Sequence, residues 1–370
     1  MLAATGNSYA VRVTQLLLAE ACSHQGALQQ AAELYRAARA SAGEDLFDKS
    51  RALLGLAQLS YEWNALEEAW QQAQEALDLG TGLMDATLQV QAALVLAAIE
   101  QARGQTAAAG QRLHALFARL PASATPHLPL LQRRIEALQA RLALAAGDLA
   151  TAERWSTTSA RQRERLPRLH QEHEDFIAAR LLVAQGKAGR ALHLLEGWQV
   201  EAHELGRARS EVESLILMAR ATFAQQRLFH ASSLLREALA LAQAEGYQRL
   251  FLDEGEEMAA LLRSALPTIR KDRCEPYVRM LLRAFAQHHL ELGAALVSSE
   301  SVPAAPLSRL SAQEQRVLRL LAAGYSNPEI AQALVVSINT VKTQVRSIYQ
   351  KLSVKSRKEV RSVVHSQSLL

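Results

Sequence analysis

Residues 310–357 read LSAQEQRVLRLLAAGYSNPEIAQALVVSINTVKTQVRSIYQKLSVKSR. Ser311 is followed three residues later by Glu314, which forms a capping box in which each side chain satisfies an amide left unpaired at a helix start. Gly324 then supplies a residue that readily adopts the left-handed conformation at a helix end. These signals predict a first helix over about 312–323.

Two further helices are predicted directly after the first. Asn327 is predicted to cap the second helix, with Pro328 at its first position, where the missing N–H costs nothing. Ser337 is predicted to cap the third helix, which runs through Leu352. A turn of about three residues therefore separates the second and third helices, which is the spacing of a helix-turn-helix motif.

The third helix has two chemically different faces. Apolar residues recur at steps of four, three and four, which predicts a buried stripe of Val341, Val345, Ile348 and Leu352. On another side, Lys342, Arg346 and Gln350 repeat every four residues. A helix that is buried on one side and cationic on the other suits the major groove of duplex DNA. The alternative is that these cations only solvate an exposed helix face.

The predicted DNA contacts follow from side-chain chemistry. Arginine and lysine donate hydrogen bonds to the O6 and N7 atoms of guanine, and threonine offers its methyl group to thymine. Cations near and beyond the end of the third helix are expected to contact phosphate. The residues predicted to contact DNA are Asn339, Thr340, Lys342, Thr343, Gln344, Arg346, Lys351, Lys355 and Arg357.

The charge of the chain is concentrated at its C-terminal end. Residues 307–370 hold ten Lys and Arg against three Asp and Glu, a net charge of +7. Since the whole chain carries +4, residues 1–306 carry a net charge of −3. A basic segment on a slightly acidic body predicts a DNA-binding module joined to a part that does not bind DNA.

The same segment carries a family resemblance. The positions concerned are Leu310, Ser311, Glu314, Val317, Leu318, Leu321, Ala322, Gly324, Ser326, Asn327, Glu329, Ile330, Ala331, Leu334, Ser337, Thr340, Val341, Lys342, Lys351, Leu352, Val354 and Arg357. At these positions the segment resembles the LuxR-type four-helix DNA-binding domain. The resemblance implies that the third helix lies in the major groove, with Lys342, Thr343 and Arg346 facing bases. It also implies that a fourth helix, about 356–366, makes a dimer contact on DNA.

One position departs from the LuxR-type pattern. Gln344 stands where that family usually has a histidine that contacts phosphate. A glutamine amide can still donate a hydrogen bond, so the contact can persist without the option of a positive charge.

The preceding part of the chain contains an internal repeat. In each repeat, a turn residue is followed two positions later by a small or apolar residue and five positions later by alanine. The six instances are Gly26/Leu28/Ala31, Asn64/Leu66/Ala69, Gly104/Thr106/Ala109, Gly147/Leu149/Ala152, Gly186/Ala188/Ala191 and Gln226/Leu228/Ala231. The spacings are 38, 40, 43, 39 and 40 residues. This register is similar to that of tetratricopeptide repeats, in which alanine allows paired helices to approach closely. It predicts an all-α, tetratricopeptide-like superhelical stack with a concave groove.

A second resemblance covers this repeat region. It rests on GYQRLFLDEGEEMAALL from Gly246, ALEEAWQQAQEAL from Ala65, Trp155, and AARLLVAQG ending at Gly186. These segments are similar to the repeat domain of the large ATP-dependent LuxR-type regulators that resemble the maltose-regulon activator. In that family an ATPase precedes the repeats, and the repeats take up an inducer. No G-x-x-x-x-G-K-[ST] phosphate loop occurs here. The chain is therefore expected to be either a short relative or the C-terminal part of a longer protein.

Composition predicts the domain boundaries. The segment SSESVPAAPLS, residues 298–308, has two prolines and small residues, and it is expected to be a flexible linker. The expected arrangement is a helical repeat domain over 1–297 that binds an effector or partner, this linker, and a DNA-binding domain over 309–370.

No motif of enzyme chemistry or cofactor binding occurs. His170 and His173 share a helix face but have no third ligand at a recognisable spacing, so a charged helix edge is the better interpretation than a metal site. Cys22 and Cys274 are far apart and are expected to be buried thiols in a reducing cytoplasm. The chain is thus expected to be a cytoplasmic protein without catalytic residues, metal or cofactor. No membrane segment or leader is predicted.

These observations favour a transcription regulator that acts as an activator. The expected partners are double-stranded DNA, RNA polymerase, a second copy of the chain on DNA, and a small-molecule inducer or a protein in the repeat groove. The alternative is a protein-interaction scaffold whose tail attaches to nucleic acid without sequence preference.

Overall fold

The computed structural model describes residues 8–119, 128–161, 163–269, 273–299, 314, 317–318, 321, 326–334 and 338–352. The chain divides into two compact units, 1–290 and 291–370. Across the described residues the regular elements are helical and no strand occurs, which confirms the all-α fold predicted from the sequence.

The first unit is a series of helical hairpins. Its paired helices are α1 (Ser8–Gln25), α2 (Leu28–Ser41), α3 (Leu46–Glu62), α4 (Leu66–Gly82), α5 (Ala86–Ala102), α6 (Thr106–Arg119), α7 (Leu128–Ala145), α8 (Leu149–Ala160), α9 (Arg168–Ala184), α10 (Ala188–Glu204), α11 (Ala208–Ala224) and α12 (Leu228–Glu245). Three helices follow: α13 (Arg249–Leu252), α14 (Gly255–Ile269) and α15 (Glu275–Ser299).

The hairpin turns follow the predicted register. Each of the six predicted turn residues has a positive φ: Gly26 (89°), Asn64 (60°), Gly104 (75°), Gly147 (79°), Gly186 (73°) and Gln226 (63°). In all six hairpins the residue two positions later begins the second helix, and the alanine five positions later is fully buried. A left-handed residue reverses the chain, and alanine then lets the two helices pack closely.

Aspartates cap two of the first helices in the hairpins, α3 and α5. The Asp45 carboxylate accepts a hydrogen bond from the Asp48 amide at the start of α3 (3.1 Å). Asp85 caps α5 in the same way, through the Leu88 amide at 2.8 Å. Each cap satisfies an amide that has no partner within its helix.

The hairpin stack closes on itself. The Gln248 amide donates to the Glu62 carbonyl (2.8 Å), and the Trp63 indole Nε1 donates to the Glu245 carbonyl (2.9 Å). The Gln248 side-chain amide donates in turn to the Trp63 carbonyl (2.9 Å). These bonds join the turn after α3 to the chain that follows α12, about 185 residues later.

A shared core accompanies this closure. One hydrophobic cluster contains Leu16 and Tyr35 from the first hairpin together with Leu215 of α11 and Phe251 of α13. At the first turn, a Cβ on Gly26 would lie 2.8 Å from the Cβ of Ala208, so only glycine fits there. The first and last hairpins therefore cover each other's apolar faces, and the stack is not an open arc.

The predicted linker begins inside a helix. Ser298 and Ser299 continue α15, so the first two residues of the 298–308 segment are helical. The remainder of that segment lies outside the described residues.

The second unit contains α16 (Asn327–Leu334) and α17 (Ile338–Leu352), and residues 314, 317, 318 and 321 are also helical. The end of α17 at Leu352 agrees with the prediction for the third helix. Residues 335–337 and 353–370, which include the predicted cap Ser337 and the predicted fourth helix, lie outside the described residues.

The cap of α16 differs from the prediction. Ser326 caps this helix, and Asn327 is its first residue, which moves Pro328 to the second position. The Ile330 amide donates to the Ser326 carbonyl (2.9 Å), and the Ser326 amide donates to the Glu329 carboxylate (2.7 Å). The Ser-x-x-Glu pair forms a reciprocal capping box, and this box outweighs the capping preference of asparagine.

In the part of the chain that the structure describes, no helix is long and apolar enough to cross a membrane.

Candidate DNA interface and repeat-domain interior

The inner side of α17 anchors it in the second unit. Val341 and Ile348 are both 0% exposed, as the apolar stripe predicted, and Val345 is half-buried. The fully buried side chains of Val317, Leu321 and Ile330 come from the preceding helical segments of this unit. The position of α17 is therefore fixed by packing on one side, which leaves its other side to solvent.

The opposite flank of α17 presents the predicted base-facing residues. Lys342, Thr343 and Arg346 are all exposed, and so is Thr340, another predicted contact residue. Lys342 and Arg346 stand one helical turn apart, and neither forms an ion pair with a described residue. Two adjacent cations with no counter-charge in the described part of the chain can bind an anionic or acceptor-rich surface without first losing such a partner.

The other predicted contact residues are Asn339, Gln344, Lys351, Lys355 and Arg357. Gln344 is half-buried, and its Oε1 atom is buried without a hydrogen-bond partner among the described residues. Asn339 and Lys351 belong to α17, but the structure does not describe their side chains. Lys355 and Arg357 lie outside the described residues.

Glu314 ties the first helical segment to α17. Glu314 is 7% exposed, and its carboxylate accepts a hydrogen bond of 2.6 Å from the Ser347 hydroxyl. Sequence reasoning assigned Glu314 to a capping box with Ser311, and Ser311 lies outside the described residues. No local sequence pattern links Glu314 to Ser347, because the two residues are 33 positions apart.

A charged network fills the interior of the repeat unit. Arg180 of α9 donates to Glu213 of α11 (2.8 Å) and to Glu254 (2.6 and 2.8 Å). Arg209 donates to both Glu62 (2.8 and 3.0 Å) and Glu213 (2.9 Å). The Arg209–Glu62 pair joins α11 to α3 across 147 residues, so it links the two ends of the closed stack.

A second group of contacts converges on Asp253, at the end of α13. The Tyr61 hydroxyl donates to its carboxylate (2.8 Å), and Arg141 of α7 also donates to it (3.2 Å). Arg249 forms a further ion pair with it. Asp253 and Glu254 are thus part of the interior network, whereas Glu256 and Glu257 are exposed in the first turn of α14.

Electrostatics hold the central carboxylates ionised. Burial raises the pKa of Glu213, but the charges of Arg180 and Arg209 outweigh this effect and hold the pKa below its ordinary value. Glu254 behaves in the same way: burial raises its pKa, and Arg180 and Arg220 lower it further than burial raises it. The paired arginines therefore compensate the desolvation of these carboxylates.

The residues considered as metal ligands do not form a described metal cluster. Among the described residues, no group of three or more His, Cys, Asp or Glu side chains is placed to hold a metal ion. His170 and His173 both belong to α9, beside this interior network. Cys22 and Cys274 are both buried free thiols.

Comparisons with known proteins match both units. Residues 1–267 match the family described as the MalT-like TPR region, and residues 308–364 match the bacterial regulatory proteins of the luxR family. The chain is 32% identical over 206 residues to the HTH-type transcriptional regulator MalT of Serratia proteamaculans, and 34% identical over 207 residues to that of Cronobacter sakazakii. It is 33% identical over 206 residues to that of Klebsiella pneumoniae. Each alignment covers 52% of this chain but only 22% of the relative.

Proposed function

Because the chain belongs to the family with a MalT-like TPR region and carries a luxR-family module, we propose that it is a transcriptional regulator whose α17 enters the major groove of a specific DNA site. The observation that carries this proposal is the division of α17 into a buried side and an exposed cationic flank. Val341 and Ile348 hold the helix, while Lys342 and Arg346 are exposed and form no ion pair with a described residue.

The exposed flank has the chemistry of base recognition. Arg346 can donate two hydrogen bonds to the O6 and N7 atoms of guanine, and Lys342, one turn away, can contact a neighbouring base or phosphate. Thr343 can offer its methyl group to thymine. Asn339, Thr340, Gln344, Lys351, Lys355 and Arg357 complete the proposed contact set.

The repeat unit serves as the input in this proposal. Its closed stack encloses a charged interior built from α7, α9 and α11, which suits a small-molecule inducer. Binding of an inducer or a protein would change DNA occupancy or the recruitment of RNA polymerase, and the chain would act as an activator, as a dimer on DNA. The proposed domains are 1–297 for the repeats, 298–308 for the linker and 309–370 for DNA binding.

Selection of DNA by the full chain from a random library tests the proposal. The expected result is enrichment of one short motif. Arg346→Ala should weaken binding to that motif by about 1–3 kcal/mol and relax preference at one base position. If about four to six phosphates are neutralised per chain, log K should fall with log salt at a slope of roughly −4 to −5.

A charge-matched control separates base contact from general charge loss. Arg236 is exposed on α12 of the repeat unit, and Arg236→Ala should leave DNA binding unchanged. If no motif is enriched, or if Arg346→Ala and Lys342→Ala bind the motif as the unaltered chain does, the proposal is wrong. Equal weakening on every sequence would instead favour a scaffold attached to nucleic acid without sequence preference.

A further inference from the structure

The inner faces of α7 and α9 each carry basic residues seven positions apart. Arg134 and Arg141 share one face of α7, and His173 and Arg180 share one face of α9, because seven residues span about two helical turns. Arg141 and Arg180 are neutralised by Asp253, Glu213 and Glu254. Two turns away, Arg134 and His173 form no ion pair with any carboxylate that the structure describes.

A neighbouring ion pair places Arg134 and His173 side by side on α7 and α9. Arg133 donates to both oxygens of Glu174, at 2.9 and 2.7 Å, which holds residues 133–134 of α7 beside residues 173–174 of α9. Ser159 also donates to the Glu174 carboxylate. Glu174 is therefore already compensated, and Arg134 makes no ion pair with a described residue.

Two imidazoles of α9 lie near Arg134, and neither forms a hydrogen bond with a described side chain. The Nδ1 atom of His170 is buried and has no hydrogen-bond partner among the described residues. The His173 ring is accessible to solvent, yet the helices that surround it desolvate it and lower its pKa to about 3. Glu213 opposes this shift, and the positive charges of Arg134, Arg141 and Arg209 reinforce it.

The half-buried Arg134 is a cation that no described carboxylate neutralises. Burial is the cause that lowers its pKa, so the loss of hydration is not offset by a nearby carboxylate. A guanidinium has five N–H donors in a planar arrangement that matches carboxylate and phosphate oxygens. Neutral imidazoles add further N–H donors without adding a charge that would have to be neutralised.

We propose that Arg134, together with His170 and His173, binds the anionic group of a small molecule, a carboxylate or a phosphate, inside the repeat unit. The inference rests on the proposed role of the repeat unit as an input, and it names the chemical class of the ligand. A bound anion would pair with Arg134, just as Asp253 pairs with Arg141 and as Glu213 and Glu254 pair with Arg180.

Titration calorimetry of the full chain without DNA tests this site. The probes are inorganic phosphate and succinate, each added at neutral pH and at constant ionic strength set with sodium chloride. At least one probe should bind saturably, and Arg134→Gln should weaken that binding by about tenfold or more, because a charge-assisted hydrogen bond is lost. Arg236→Gln, on the exposed side of α12, should bind as the unaltered chain does.

The pattern of outcomes assigns the ligand class. Binding of phosphate alone supports a phosphorylated ligand, and binding of succinate alone supports a carboxylic acid. If neither anion binds saturably, or if Arg134→Gln binds as well as the unaltered chain, the proposal is overturned.

Two more variants decide the case in which Arg134→Gln does not fold, as judged by circular dichroism. Arg134→Lys should retain most of the binding, and His173→Gln should weaken it; the proposal is overturned if His173→Gln has no effect.

Selection of DNA by the same protein distinguishes the two proposals. A chain that binds the anion but enriches no DNA motif contradicts only the proposed function, and a chain with the reverse behaviour contradicts only the anion site.

Discussion

The Ser347 hydroxyl of α17 donates a hydrogen bond of 2.6 Å to the carboxylate of Glu314, which is almost completely buried. Ser347 follows Arg346 directly, so this bond joins the helical segment at residue 314 to the turn of α17 that carries the proposed base contact. The position of Arg346 thus depends on a polar contact as well as on the apolar packing of Val341 and Ile348.

Ser347→Ala should destabilise the second unit. The buried Glu314 carboxylate would lose a hydrogen bond, which costs about 1–3 kcal/mol. Amide hydrogen exchange of α17 in the full chain measures this loss as a lower local free energy of opening. In a double-mutant cycle with Glu314→Gln, the two changes should be strongly non-additive. Additive effects would show that the two side chains do not stabilise each other.

Ser326→Ala should destabilise the start of α16 by about 1 kcal/mol, because it removes the cap and the partner of Glu329. Asn327→Ala should have a smaller effect, since Asn327 is the first helical residue. Hydrogen exchange of the α16 amides compares the two variants. A larger effect of the Asn327 change would restore the cap assignment made from the sequence.

Ala31→Leu should destabilise the repeat unit, because Ala31 is fully buried where α2 packs in its hairpin. Overpacking of this kind costs about 1–3 kcal/mol. Ala37 lies on the exposed side of the same helix, so Ala37→Leu is the matched control, with an expected effect within about 0.5 kcal/mol. Urea denaturation followed by circular dichroism measures both, and equal effects would contradict the role assigned to the repeat alanines.

The stability of the repeat unit should fall as the pH drops below about 4.5. The pKa of Glu213 in the folded chain lies below its ordinary value of 4.5: burial raises it, but Arg180 and Arg209 lower it more. An acid whose pKa is depressed on folding stabilises the fold above its unfolded pKa, and this stabilisation is lost as pH falls toward the folded pKa.

Urea denaturation as a function of pH measures this contribution. Glu213→Gln should reduce the free energy of unfolding at neutral pH, and the difference from the unaltered chain should shrink in the acid range. Glu237 is exposed on α12, and Glu237→Gln should leave the pH profile unchanged. A difference that stays constant at all pH values would contradict the assigned ion pairs.

Local signals in the sequence predicted the hairpins and the third helix of the second unit. The hairpin turn requires a left-handed backbone at positions such as Gly26 and Asn64, and the close approach of the paired helices requires a small side chain at Ala31 and Ala69. Each hairpin is therefore encoded within a few residues. The stripe through Val341 and Ile348 is encoded in the same way.

Contacts between distant segments could not be predicted from such signals. The bond from Gln248 to Glu62 and the pairing of Arg209 with Glu62 depend on how six hairpins curve together. The partner of Glu314 was likewise missed, because a capping box is a local pattern and Ser347 lies 33 residues away. The cap of α16 was misassigned by one residue, where two good capping residues, Ser326 and Asn327, are adjacent.

The bonds between Glu62, Trp63, Glu245 and Gln248 limit how this domain can vary in length. Open repeat arrays gain or lose whole units with little penalty, because each unit contacts only its neighbours. Here, duplication or deletion of one hairpin would separate the two ends and expose the apolar faces that they now cover. It would also break the ion pair between Glu62 and Arg209 and leave the buried Glu62 carboxylate without it. Diversification of the domain is therefore expected through substitutions on its inner wall, with the number of hairpins held constant.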